Sequence, residues 1–297
     1  MLKGAMTALV TPMHPDGSID FASLDHLVEF QITNNITGLV IAGSTGEGYT
    51  LNDNERLNLI ERIIQKVNKR SKIIITVAGP STTYCCDLVT NFNQVQGVDY
   101  IMATTPSYLK PTQDGLYEHF KSIAKISMKP IILYNVPSRA GCDLHDTTTL
   151  KLAHDFLNII GLKDATGNIA RLNNLVKYRP QHFALYSGDD TTSMAFMLCG
   201  GDGSISVVSN AIPNEYATLC DLAINGNKID AIKMNNHILE LTANMGIEPY
   251  PIAIKWILNK IGVISTPNLR LPLTTLSIQS QQKLTPILEQ IINRKLN

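Results

Sequence analysis

The chain has 297 residues, with 25 basic and 25 acidic side chains and a formal net charge of zero at pH 7. That balance excludes the strong field of one sign that is typical of nucleic-acid-binding proteins and acidic tails. Apolar residues make up 44% of the composition and charged residues 17%, which indicates a chain that buries a core and excludes an intrinsically disordered protein.

The sequence predicts neither a membrane-spanning nor a secreted protein. No apolar run approaches the roughly 18 residues that a bilayer span requires, and the longest runs, such as residues 73–77, suit buried strands. Residues 1–12 contain a single lysine and too short an apolar stretch for a secretory signal, so we expect a cytoplasmic location. The five cysteines lack CxxC spacing, which is typical of reduced packing residues.

Short β-rich apolar segments alternate along the chain with longer stretches of helical periodicity. Eight strands are predicted, at residues 4–11, 38–43, 72–79, 100–105, 130–136, 159–165, 183–188 and 203–209. Because these segments are apolar throughout, both faces of each strand should be covered, as parallel strands joined by helices require. Asn52 and Glu55 form a capping signature for the second predicted helix.

Eight such units in about 225 residues match a (β/α)8 TIM barrel, typically about 250 residues long, better than an open doubly wound sheet. Three further helical segments follow, at residues 228–245, 251–261 and 279–294. We therefore predict a catalytic barrel over residues 1–225 and a C-terminal helical extension over residues 226–297. In such a barrel the functional groups lie at the C-terminal ends of the strands.

The second predicted strand is followed by the motif Gly-Ser-Thr-Gly-Glu-Gly at residues 43–48. Its spacing is neither the dinucleotide fingerprint nor a Walker A loop, so nucleotide binding is not predicted. Two interpretations remain open. The hydroxyls satisfy backbone groups of a tight turn, or the N–H groups bind a carboxylate while Ser44 and Thr45 relay protons.

Tyr134 lies near the C-terminal end of the fifth predicted strand, and Arg139 follows five residues later. A phenol and a guanidinium at this rim suit a proton donor and a bidentate carboxylate clamp. Each residue alone also fits a structural interpretation, as a packed rim tyrosine and as an arginine in a surface ion pair.

Lys163 stands where the sixth predicted strand opens into its loop. A lysine in apolar surroundings has its ammonium form disfavoured, and the neutral amine can attack a ketone to form a Schiff base. Tyr134, on the neighbouring strand, is a suitable acid for the departing carbinolamine hydroxyl. The alternative is a lysine paired with a carboxylate at the barrel mouth.

No metal or cofactor is predicted. Asp189 and Asp190 are typical of a helix cap, and the seven histidines are scattered without HxH or HExxH spacing. The glycine-rich turn at residues 200–203 precedes the eighth strand, on the face opposite the catalytic one, so we do not expect it to bind the phosphate of a cofactor such as pyridoxal phosphate.

Together, the motifs at residues 43–47, 134–139 and 162–167 resemble the pyruvate-dependent class I aldolase family along essentially the whole chain. The likeness is strongest to the branch that condenses pyruvate with L-aspartate 4-semialdehyde in the diaminopimelate route to lysine. Further matches lie at Thr11, Pro106, Tyr108, Glu248, Lys255 and Arg270.

The resemblance implies a lyase in which Lys163 condenses with pyruvate and Tyr134 is the proton shuttle beside it. It implies that backbone N–H groups of Ser44 and Thr45 bind the pyruvate carboxylate. Thr45 would link Tyr134 to Tyr108, which enters from a neighbouring subunit of a homotetramer built as a dimer of dimers.

In the same way, the resemblance implies that the Gly188 carbonyl and Ile205 line the pocket and that Arg139 binds the carboxylate of L-aspartate 4-semialdehyde. Ser44 departs from the family, in which threonine is usual, but it keeps the hydroxyl, so we expect activity to survive. Residues 48–56 and 80–84 lack the histidine, asparagine and glutamate pattern of lysine-sensitive members, so we expect weak or absent inhibition by lysine.

Two rival functions remain. A sister aldolase, such as a sialic acid lyase or a keto-deoxy sugar acid aldolase, shares Lys163 and Tyr134. Arg139 disfavours it because a polyol aldehyde offers no carboxylate to bind, although Asp189 and Asp190 suit sugar hydroxyls. A non-catalytic keto-acid-binding barrel is expected to have lost Lys163 or Tyr134, and both are present.

Overall fold

The computed structural model describes residues 2–294, with side chains described for residues 2–291. Eight parallel strands form a closed barrel in which each strand pairs with the next and the last pairs with the first. The strands are β1 Gly4–Ala8, β2 Gly38–Ile41, β3 Lys72–Val77, β4 Tyr100–Thr104, β5 Ile131–Asn135, β6 Ile159–Asp164, β7 Ala184–Ser187 and β8 Gly203–Ser206. The predicted TIM barrel is confirmed, and each predicted strand runs one to three residues past its observed C-terminal end.

Helices connect the strands on the outside of the barrel. They are α1 Phe21–Thr33, α2 Asp53–Val67, α3 Thr82–Asn93, α4 Gln113–Ile126, the single turn α5 Pro137–Ala140, α6 Asp146–Asp155, α7 Ile169–Tyr178, α8 Ser193–Leu198 and α9 Pro213–Ile224. The predicted capping box of α2 is present, because the Asn52 side chain accepts from Glu55 N–H and the Glu55 carboxylate accepts from Asn52 N–H.

Three further helices follow the barrel, as the sequence predicts: α10 Lys228–Asn244, α11 Ile252–Lys260 and α12 Ile278–Arg294. α10 packs against α9 and α12. The division into two units at residue 225 stays a prediction. Over residues 2–294, no helix combines the length and the apolar character needed to cross a bilayer.

The apolar side chains form two separate clusters. The larger one fills the space between the barrel and its helices, and the smaller one fills the barrel interior. The interior cluster includes Met6, Val40, Ile74, Met102, Ile132, Tyr134, Tyr186 and Ile205. Because these apolar side chains fill the barrel interior, polar groups that bind a ligand are restricted to the C-terminal ends of the strands.

The pairing of β5 with β6 is irregular. Ile131 pairs with Ile159, but Ile132 pairs with Gly161, so β6 contains one extra residue at this point. Strict alternation from the outward-facing Ile159 would turn Lys163 outward as well, because strand side chains alternate with period two. The irregularity changes that phase, and Lys163 pairs with the inward-facing Tyr134.

Candidate active site

Lys163 and Tyr134 form a buried pair at the C-terminal ends of β6 and β5. The Lys163 Nζ atom lies 4.2 Å from the centre of the Tyr134 ring, and the two residues are 5% and 7% exposed. Residues paired on adjacent parallel strands project to the same side of the sheet, which explains the contact. The structure thus brings together the two groups that the sequence assigned to Schiff-base chemistry.

Burial changes the proton affinity of both groups. It lowers the pKa of Lys163 to about 8, although the Asp190 carboxylate opposes the shift, and the Arg139 guanidinium lowers the pKa further. With that pKa, about a tenth of Lys163 is the neutral amine at pH 7, against about one in a few thousand for an ordinary lysine. Burial raises the pKa of the Tyr134 phenol to about 12, with Arg139 opposing, so the phenol keeps its proton.

Gly188 packs directly against the lysine side chain. It follows β7, and its N–H donates to the Asp164 carbonyl at 2.7 Å. A Cβ at this position would lie 2.9 Å from Lys163 Cε, 3.1 Å from Lys163 Cγ and 2.9 Å from Ala165 Cβ. These separations are shorter than an ordinary carbon–carbon contact of about 3.5–4.0 Å, so glycine leaves the room that the lysine occupies. Ile205, also predicted at the pocket, is buried with Tyr134 in the interior cluster.

Asp190 lies at the same end of the barrel. Its Oδ2 accepts from the N–H groups of Val207 and Val208 at 3.0 and 2.9 Å, and its Oδ1 accepts from the Tyr216 hydroxyl at 3.0 Å. The sequence-based interpretation of Asp190 as a helix cap is therefore wrong, because the carboxylate binds the chain after β8. Asp189 does have a local role, since its Oδ2 accepts from Thr192 N–H at 3.0 Å just before α8.

The loop at residues 43–48 closes on itself. Gly48 N–H donates to the Gly43 carbonyl at 3.0 Å, and Glu47 N–H donates to the Ser44 carbonyl at 3.2 Å. A Cβ on Gly48 would lie 1.9 Å from the Ala42 carbonyl oxygen, so only glycine fits. Ala42 and Glu47, at the two ends of the turn, have φ values of 54° and 51°.

Such left-handed backbone in residues other than glycine costs of order 1–3 kcal/mol each and persists where the surroundings hold it. The holding groups come from elsewhere in the chain. Thr11 Oγ1 donates to the Gly46 carbonyl at 2.7 Å, and Arg56 Nη2 donates to the Gly48 carbonyl at 2.9 Å. Within the loop, Thr45 is buried and Ser44 is half-buried.

A fully buried ion pair also holds the loop. Lys255 Nζ donates to Glu47 Oε1 and, at 2.7 Å, to the Asn268 carbonyl, while Arg270 N–H donates to Glu47 Oε2 at 3.0 Å. Burial lowers the pKa of Lys255, and Glu47 opposes the shift. Sequence analysis noted Lys255 and Arg270 without a role; the available signal was a lysine within the apolar run of α11.

A cavity of about 170 Å³ opens beside the loop. Its lining residues are Ser44, Tyr49, Thr104, Thr105, Ser107, Val136, Arg139 and Ala140. The Thr104 hydroxyl is buried and has no hydrogen-bond partner among the described residues. Arg139 is exposed, and its Nη2 donates to the Tyr250 carbonyl at 3.3 Å. The cavity thus joins a guanidinium to hydroxyl groups next to the strand that carries Tyr134.

Tyr108 lies outside the buried pair. It is 88% exposed and has a φ of 73°, and its N–H donates to the Ala140 carbonyl at 3.0 Å. Three other large side chains near this end of the barrel are also exposed, namely Tyr49, Tyr84 and Leu109. The predicted link from Thr45 to Tyr108 of another subunit stays a prediction.

Comparison with known proteins relates the chain to one family. Residues 1–291 match the model of the dihydrodipicolinate synthetase family. The 4-hydroxy-tetrahydrodipicolinate synthase of Laribacter hongkongensis is 44% identical over 289 residues, which cover 97% of this chain and 98% of that protein.

Solved structures give the same result. The chloride-inhibited dihydrodipicolinate synthase of Acinetobacter baumannii, in complex with pyruvate, has a TM-score of 0.95 and 40% identity, covering 98% of this chain and 99% of that one. A structure described as the first monomeric dihydrodipicolinate synthase variant has a TM-score of 0.94 and 33% identity, covering 98% and 97%. The chain therefore belongs to the dihydrodipicolinate synthetase family.

Proposed function

We propose that the chain is a lyase that condenses pyruvate, bound to Lys163 as a Schiff base, with L-aspartate 4-semialdehyde to give 4-hydroxy-tetrahydrodipicolinate. The observation that carries the proposal is the buried Lys163 amine, with a pKa lowered to about 8, packed against Tyr134. The names of the relatives support the same reaction, and the Acinetobacter relative binds pyruvate in its crystal structure.

The reaction begins when neutral Lys163 Nζ attacks the ketone carbon of pyruvate to form a carbinolamine. Tyr134 donates a proton to the carbinolamine hydroxyl, which leaves as water, and an iminium forms. Loss of a proton from the methyl carbon gives an enamine, whose carbon attacks the aldehyde carbon of the second substrate. The amino group of that substrate then displaces Lys163 as the product closes its ring.

Other residues bind the two carboxylates. The N–H groups of Ser44 and Thr45 bind the pyruvate carboxylate, and Gly188 and Ile205 line the pocket around it. Arg139 binds the carboxylate of the semialdehyde, because a guanidinium fits a carboxylate bidentately. Its exposed position on α5, at the edge of the cavity that contains Ser44, supports a second substrate that arrives from solvent.

Assembly is part of the proposal. Tyr108 is a large aromatic residue held at positive φ with its ring in solvent, and an exposed cluster of this kind marks an interaction surface. A second copy covers it in the proposed homotetramer, a dimer of dimers, and brings Tyr108 to the partner site. A monomeric variant occurs among the relatives, so the mass of this protein in solution tests the assembly directly. A cytoplasmic location stays a prediction from the sequence.

The nucleophile is tested by trapping. Protein incubated with pyruvate and reduced with borohydride should gain the mass of pyruvate, less one water and plus two hydrogens, on the peptide that contains Lys163. Lys163→Met should abolish the adduct. Lys129→Met is a matched control, because burial also lowers the pKa of Lys129, yet it lies before β5 at the opposite end of the barrel. An adduct elsewhere, or none, contradicts the mechanism.

The acceptor is tested by comparing L-aspartate 4-semialdehyde with N-acetylmannosamine under saturating pyruvate. We expect turnover with the semialdehyde alone and its loss in Arg139→Gln, since the variant cannot bind the carboxylate through a charge. Turnover with the sugar would instead support the sister aldolase.

A further inference from the structure

We propose that Glu47, Lys255 and Arg270, here called the loop anchor, position the Ser44–Thr45 turn for pyruvate binding. This inference rests on the proposed function, because it takes that turn as the site of the pyruvate carboxylate. None of the three reaches Lys163; they act through the loop backbone and are positioning residues.

The geometry of the turn creates the need for an anchor. Glu47 is one of the two residues of this loop held at positive φ, a backbone conformation that costs free energy in a residue other than glycine. Its side chain therefore extends from a strained position of the backbone. That side chain points away from solvent and is completely buried with Lys255. The ion pair therefore holds the strained residue directly.

The anchor contacts the C-terminal end of the turn at Glu47 and the chain just beyond it. Both Glu47 carboxylate oxygens are bound, Oε1 by Lys255 Nζ and Oε2 by Arg270 N–H at 3.0 Å. The Arg270 guanidinium then donates to the Thr50 carbonyl at 2.7 Å, just beyond the turn, and to the carboxylate of Glu55. Lys255 is fixed in turn by the Asn268 carbonyl at 2.7 Å.

Two of the three anchor residues, Lys255 and Arg270, come from α11 and the chain that follows it, outside the barrel strands. The pair joins residues 208 positions apart, so the C-terminal segment determines the position of a loop that follows β2. A buried charge pair with all its oxygens bound has few alternative arrangements, and loss of one partner leaves an uncompensated charge. The Glu47–Lys255 pair is therefore suited to holding the backbone N–H groups of Ser44 and Thr45 in a fixed position.

The test uses Glu47→Gln/Lys255→Met, which removes both charges and keeps similar side-chain volumes. We expect a folded protein of unchanged mass in solution whose KM for pyruvate rises about tenfold to a hundredfold, as loss of one hydrogen bond to a charged group produces. The KM for the semialdehyde, bound by Arg139, should change less than about twofold. Amide exchange at Glu47, Gly48 and Thr50 should accelerate about tenfold or more.

The matched control is Arg179→Met/Asp202→Asn, which removes another ion pair, with Asp202 buried, next to the N-terminal end of β8. It should leave the pyruvate KM and the exchange of the 43–50 segment unchanged. If the double variant of the anchor does not fold, Arg270→Gln gives the same comparison, since it removes the guanidinium contacts with Thr50 and Glu55 and leaves the buried Glu47–Lys255 pair charged on both sides.

Unchanged pyruvate KM and unchanged exchange in a folded anchor variant would overturn the proposal, as would equal rises in the KM of both substrates. These outcomes differ from failure of the proposed function, which would show as no pyruvate adduct on Lys163 in the wild-type protein. The exchange measurement tests the anchor in either case, because it needs no substrate.

Discussion

Substitution of Gly188 by alanine should separate the stability of the barrel from its chemistry. The added methyl would lie 2.9 Å from Lys163 Cε and 2.9 Å from Ala165 Cβ, about 0.6 Å or more inside the ordinary contact distance. Overpacking of this size typically costs about 1–3 kcal/mol. We expect about 2 kcal/mol or more, because Ala165 Cβ is fixed to the backbone even though the far end of the lysine side chain shifts. That shift displaces the nucleophile, and a displacement of about 1 Å reduces the rate by roughly a hundredfold.

The assay compares kcat, the rate of borohydride trapping with pyruvate and the free energy of unfolding in denaturant. We expect Gly188→Ala to lose about two orders of magnitude in trapping rate and about 2 kcal/mol in the free energy of unfolding. Gly115→Ala, within α4, is the matched control and should retain both activities. A Gly188→Ala variant that traps pyruvate at the wild-type rate would refute the reasoning that this glycine makes room for the lysine.

Three further predictions follow from the site. Trapping of pyruvate should accelerate as pH rises through about 8, where Lys163 loses its proton. Asp190→Asn should move this rise to lower pH, because the Asp190 carboxylate raises the pKa of Lys163. A rise centred near pH 10 would contradict the argument that burial lowers this pKa. Tyr108→Phe should lower turnover while the pyruvate adduct still forms, and an unchanged rate would remove its hydroxyl from the proton relay. Millimolar L-lysine should inhibit by less than half, because the 48–56 and 80–84 segments lack the lysine-binding pattern, and strong inhibition in a steady-state assay would show otherwise.

The fold was predictable because the barrel strands are covered on both faces and read as short apolar runs. The C-terminal ends of the strands were harder to predict. Leu9 and Val10 continue the apolar run of β1 and are buried, but the strand ends at Ala8, and Val10 N–H donates to the Asn210 side chain at 3.2 Å instead of to a neighbouring strand. Composition records burial, whereas the end of a strand depends on backbone pairing with its neighbours.

The same limit applies to the site. Lys163 and Tyr134 were predictable because each lies one residue before the C-terminal end of its strand, and parallel strands bring such residues together. The Glu47–Lys255 pair was not, because its members lie 208 positions apart and neither has a motif that specifies the other. Gly188 was expected to contribute its carbonyl, and the structure shows that its missing side chain also matters, which only the position of Lys163 reveals.

The extra residue in β6 divides that strand into two segments whose side chains alternate in different phases. The segment before it contributes Ile159 to the packing against the helices, and the segment after it directs Lys163 into the barrel. Because the irregularity changes the phase of the strand, Ile159 and Lys163 face opposite sides of the sheet although they are four residues apart. A substitution that restored regular alternation along β6 would therefore turn the reactive lysine away from Tyr134 without touching either residue.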